Sequence, residues 1–184
     1  SGLASTLLSY LESGKNVLFF PHANPQLADY YTFFSKIKIP RILNFSQVER
    51  QVGEIDLASF AFRDVYEPSK VMMKLPVTKG NFSFENSSIF GEQKLLTYRD
   101  GSSYLSAFNV RGGIFYRSSA PLSAEFNSLV NQSDIFIPLL YKLGIAGGGN
   151  QPISFIAGKD ELVSIPLNNI STDKFDITSV LVTF

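Results

Sequence analysis

Residues 114–143, IFYRSSAPLSAEFNSLVNQSDIFIPLLYKL, constrain this chain more than any other stretch. An apolar run, a small-residue loop ending in Ala120-Pro121-Leu122 and an apolar helix follow one another. Ser133 or Asp134 can cap the helix, which carries Phe136, Leu139, Leu140 and Leu143. Pro138 is expected in its first turn, where a missing N–H costs little, and Gly144 at its end. A strand that feeds a helix in this way belongs to a layered α/β sheet.

The N-terminal segment follows the same order. Leu3, Leu7, Leu8 and Leu11 fall on one helical face, and Gly14 stands where a helix C′ glycine belongs. Val17-Leu18-Phe19-Phe20-Pro21 is a continuous apolar run of the kind found in buried parallel strands. Asn24 and Pro25 suit the N-cap and first position of a second helix, striped by Leu27, Tyr30, Tyr31 and Phe34.

Between these units, Arg41–Phe45 reads as a strand, and Val71–Phe84 as one or two more. Lys94–Tyr98, Tyr104–Val110 and Gly113–Arg117 form strands joined by the turns Arg99-Asp100-Gly101-Ser102 and Arg111-Gly112-Gly113, an antiparallel patch. Ala146–Asn150 reads as a hinge, and the residues beyond it change to β character. The pattern therefore divides into an α/β domain over 1–146 and a β-rich segment over 147–184. The expected fold is a mostly parallel sheet flanked by helices, with a C-terminal all-β segment.

Composition narrows the chemistry. Seventeen Phe and eight Tyr can fill a core. A net charge of zero offers no basic face for nucleic-acid phosphates. The absence of Cys removes thiolate nucleophiles, disulfides and thiolate zinc sites. No window holds 18 uninterrupted apolar residues, and no signal-peptide pattern is present. The first residue is Ser, and the chain closes on the strand-like run Ser179–Phe184, so the sequence reads as part of a longer protein.

Few residues suggest chemistry. His22, the single histidine, follows a strand end, where open α/β sheets bind ligands. Ser118 and Ser119 also follow a strand, yet no Gly-x-Ser-x-Gly elbow presents either hydroxyl. These three residues are the weak candidates for a ligand site, or for a hydrolase with His22 as base. Tyr30, Tyr66, Tyr98 and Tyr104 could stack on a sugar. Gly147-Gly148-Gly149 follows a helix and precedes a strand, so it is not a phosphate loop. The scattered Asp residues show no metal-ligand spacing. No metal or cofactor is expected.

Three segments together resemble a known group. They are Ser1–Ala4 through Leu11–Pro21, then Phe62-Arg63-Asp64-Val65-Tyr66, and finally Ser118–Leu122 followed by Asp134–Tyr141. They are similar to the class I glutamine amidotransferase-like domain of BatA-type, aerotolerance-related membrane proteins of Gram-negative bacteria. The resemblance implies flavodoxin-like layering and a periplasmic domain of an inner-membrane protein, anchored by helices outside this stretch. True amidotransferases use a Cys–His–Glu triad, and no Cys is present to serve as nucleophile. The resemblance therefore implies a non-catalytic interaction or scaffold domain with other envelope proteins as partners. A small-ligand or glycan-binding module is the alternative, and a hydrolase using His22 with Ser118 or Ser119 is a further one.

Overall fold

The computed structural model describes residues 2–24, 27–63, 74–85 and 91–146. Pro25 of the expected helix start, part of Phe62–Tyr66 and the whole segment 147–184 lie outside them. Helix α1 spans Gly2–Glu12, followed by strand β1 (Val17–Phe19) and helix α2 (Leu27–Ile37). Strands β2 (Ile42–Ser46), β3 (Arg50–Ile55), β4 (Val77–Thr78) and β5 (Asn81–Phe84) come next. Strands β6 (Gln93–Tyr98), β7 (Ser103–Val110) and β8 (Gly113–Ser118) precede a 3-10 turn (Ser128–Asn131) and helix α3 (Ser133–Ala146).

The sheet corrects the expected fold class. Six strands run in the order β1-β8-β7-β6-β3-β4, and β2 pairs with β5 as a separate ribbon. Among the described strands, only β1 and β8 are parallel, with Val17 opposite Phe115 and Phe19 opposite Arg117. Every other pairing is antiparallel. A mostly parallel, flavodoxin-like sheet therefore does not form; the result is a curled mixed sheet. The cause is connection length. Parallel neighbours need a long crossover, whereas β6, β7 and β8 are joined by hairpin turns that force antiparallel pairing. Register shifts along β3, β6 and β7 add local twist.

Both faces of the sheet are covered. On one, Phe108, Val110 and Phe115 pack with Leu11 of α1, with Phe33, Phe34 and Ile37 of α2, and with Phe82 of the ribbon. On the other, Leu96, Leu105 and Tyr116 pack with Ile135, Leu139 and Leu143 of α3, and with Ala61 and Phe62. Continuous apolar runs report this two-sided burial, not strand direction. Asn16 ties the layers together: its Oδ1 accepts from Ile114 N–H at 3.2 Å, and its Nδ2 donates to the Leu143 carbonyl at 3.2 Å.

Helix ends follow the sequence in part. Gly14, with φ +78°, closes α1 in the left-handed region that favours glycine. Pro138 is the sixth residue of α3, past the first turn, so it withholds the N–H that would bond to Asp134 O. The helix also continues through Gly144 to Ala146.

Gly113 marks the closest approach between α1 and the sheet. A Cβ there would run into the Lys15 carbonyl and lie 2.8 Å from Leu11 O, both backbone atoms that cannot swing aside. Gly113→Ala is expected to destabilise the fold by about 1–3 kcal/mol, as overpacking does. Urea denaturation checks this; a cost near zero would mean that α1 is not seated on β8.

Candidate functional site

Strand β8 places the candidate residues. Its side chains alternate between faces, so Arg117 points to the same side as Phe115. There the guanidinium is only 1% exposed. It lies 3.5 Å from the Phe84 ring centroid and 4.7 Å from that of Phe108. One terminal nitrogen donates to Pro40 O at 2.9 Å, and the other reaches Glu92 Oε1 at 3.4 Å. The Glu92 side chain is itself 5% exposed, and the Ser103 hydroxyl donates to it at 2.8 Å. The Ser106 hydroxyl donates to the same oxygen. The Nε–H of Arg117 has no acceptor among the described residues. Leaving such a buried donor unpaired costs about 1–3 kcal/mol. Burial pulls the Arg117 guanidinium down to about 9, against the pull of the Glu92 carboxylate, so it remains charged at neutral pH.

The two serines have structural partners. Ser118 is fully buried; its hydroxyl donates to Ala120 O at 2.9 Å and accepts from Ala120 N–H at 3.1 Å, closing a local turn. Ser119 is buried, and its Oγ lies 2.8 Å from Tyr98 OH. The same Tyr98 hydroxyl bonds to Asn81 Oδ1 and lies 3.0 Å from Thr78 Oγ1, so Ser119 belongs to a buried polar knot. His22 stays at the surface, where its Nδ1 accepts from Asn24 N–H at 3.1 Å. No hydrogen bond joins His22 to either serine among the described residues. Tyr98 and Tyr104 are core side chains, not exposed platforms for a sugar. Tyr30 is partly buried, with its hydroxyl accepting from His22 N–H at 3.0 Å, and Tyr66 lies outside the described residues.

Above the Arg117–Glu92 pair opens a cleft of about 380 Å³. The ribbon supplies Phe84 and Glu85, β3 supplies Arg50, and β6 with its turn supplies Lys94 and Asp100. Arg50 stacks 3.9 Å from the Tyr98 ring and binds Asp100 at 2.5 Å. Two bonds from Ser102, helped by Arg50, hold the Asp100 carboxyl below its ordinary range. Sequence reading passed over this cleft because its strands are distant in the chain. The available signal was a charge inside an apolar strand: Arg117 in Ile-Phe-Tyr-Arg-Ser.

The class defined by this geometry is a domain built on a curled, mixed and mainly antiparallel sheet with helices packed against it. No protein-family model matches the chain, and no curated protein matches it in sequence. Two solved structures align with it. A cytoplasmic protein from Salmonella typhimurium LT2 aligns with a TM-score of 0.51 at 10% identity, over 80% of this chain and 59% of that one. An exo-beta-1,4-mannosidase from Opitutaceae bacterium strain TAV5 aligns with a TM-score of 0.44 at 14% identity, over 78% of this chain and 22% of that one. The chain thus spans less than two thirds of either protein, and the likeness to the Salmonella protein is one of fold alone.

Two outcomes follow from these buried groups. Glu92→Gln strands a buried guanidinium without its counter-charge, and should cost about 3–5 kcal/mol in urea denaturation, against far less for the double change with Arg117→Met. Alkaline pH should also unfold the protein. Burial raises Tyr98 and Tyr104 above the ordinary value of 10 and Tyr116 to about 12. As pH rises through that window the unfolded chain releases protons that the folded chain keeps, so stability falls. Arg117 acts in the opposite sense from about 9 upward, one group against three. The buried tyrosinates should appear at 295 nm together with loss of the circular dichroism signal. Their ionisation near pH 10 with the fold intact would refute this.

Proposed function

We propose that the chain is a non-catalytic interaction domain of a membrane-anchored bacterial envelope protein, facing the periplasm. The observation that carries this reading is the outer face of α3. Ile137, Leu140 and Tyr141 are 62%, 43% and 65% exposed and stand at helical spacing i, i+3, i+4. Their inward counterparts Ile135, Leu139 and Leu143 are buried, so the helix is apolar on both sides. Apolar side chains gathered on one exposed helix face mark an interaction surface. Covering each would contribute about 1.5–3 kcal/mol.

The resemblance to BatA-type proteins supports the envelope setting and supplies the class of partner, another envelope protein with an apolar docking patch. No described helix is long and apolar enough to cross a membrane, so in this reading the anchors belong to flanking sequence. The structural roles of Ser118 and Ser119 support a non-catalytic role over a hydrolase.

Photo-crosslinkable residues at positions 137 and 141 of the full-length protein in its own membrane should give one discrete protein adduct. Leu140→Asp should weaken that adduct roughly tenfold while leaving the melting temperature unchanged, as expected of a residue at the centre of an interface. Adducts to lipid alone, or none, would overturn the reading.

A further inference from the structure

One rung of the sheet gathers positive charge. Lys94 on β6 stands opposite Ser106 on β7, which stands opposite Arg117 on β8. Residues paired this way share a face, and the strand spacing sets the Lys94 and Arg117 Cα atoms roughly 10 Å apart. Both side chains line the 380 Å³ cleft.

Among the described residues, the ion pairs around the cleft leave a surplus. Asp100 is paired with Arg50, Glu92 with Arg117, and Glu85 with Arg41, which stands outside the lining. Lys94 remains. Its Nζ donates to the Gly101 carbonyl at 2.7 Å, a neutral acceptor, and it has no carboxylate partner among the described residues. Arg117 adds a second positive charge beneath the cleft, its buried Nε–H without a partner among the described residues. The spare hydrogen-bonding capacity of these two residues is therefore all donor, on cations. Arg117 is also pre-set: two aromatic rings and the Pro40 carbonyl hold its plane, so little orientation is lost on binding.

We propose that this cleft binds a small molecule bearing an oxyanion group, a carboxylate or a phosphate. The group lies against the Lys94 ammonium, over the buried positive charge of Arg117, with Phe84 beside the apolar part of the ligand. The cleft falls within the roughly 300–1,000 Å³ of small-molecule sites, a size suited to a sugar acid or sugar phosphate rather than a macromolecule. This inference does not depend on the α3 surface, and either can stand without the other.

Arginine Nε–Hε resonances of the whole chain, recorded during titration at constant ionic strength, test it. The probes are glucuronate, glucose 6-phosphate and neutral glucose. A saturable shift of the Arg117 signal with an anion, absent with glucose and weakened roughly threefold to tenfold by Lys94→Gln, is the expected result. Which anion binds more tightly identifies the source of the oxyanion. Lys94 is exposed, so Lys94→Gln leaves the core intact. No saturable shift with either anion would overturn the proposal. So would an affinity unchanged by Lys94→Gln, or glucose binding as tightly as the anions.

Discussion

The structure is organised around a charge placed where a strand would ordinarily carry an apolar side chain. Arg117 sits on the face that also carries Phe108, Val110 and Phe115. Desolvating a guanidinium costs several kcal/mol, so its surroundings must compensate closely. They do so from five directions: Glu92 before β6, Pro40 after α2, Phe84 from the ribbon, Phe108 from β7, and Ser106 through the carboxylate. A purely apolar contact would hold these parts together without fixing their register. The planar guanidinium fixes it, because its hydrogen bonds and ring contacts are directional.

A second polar centre lies at the exit of β8. Tyr98, Thr78, Asn81 and Ser119 share hydrogen bonds, while Ser119 O accepts from Phe82 N–H at 2.7 Å and Ser119 N–H donates to Tyr104 O at 2.8 Å. Ribbon, main sheet and loop thus meet at one residue. Small side chains in Ser118-Ser119-Ala120 suit this crossing because the backbone itself is the ligand of its neighbours. Both serine hydroxyls are buried beneath this crossing.

The sequence made local structure legible and left non-local structure hidden. The turns Arg99–Ser102 and Arg111–Gly113 place β6, β7 and β8 almost as they stand, since tight turns dictate their own pairing. Gly14 likewise ends α1. Sheet type was not legible, because an apolar run such as Val17–Phe20 reports cover on two faces and says nothing about its neighbour's direction. The β2–β5 ribbon joins residues some forty positions apart, Ile42 with Phe84 and Ser46 with Asn81, and no periodicity announces such a match. The cleft was hidden for the same reason: Lys94 and Arg117 are ordinary charged residues until three strands bring them to one rung, with Glu92 beside it. His22 and the two serines were read from their position after strands, a guide taken from open parallel sheets; the structure places His22 at the surface and both serines in buried hydrogen bonds.

The ends of the sheet have a consequence for crowding. The outermost strands are β1, with three residues, and β4, with two, so among the described residues the sheet presents very little bare backbone at either side. Long, flat outer strands template the growth of one sheet onto another molecule, and short ones blunt it. The described edges of the six-stranded sheet therefore offer a neighbouring molecule little backbone on which to extend a shared sheet.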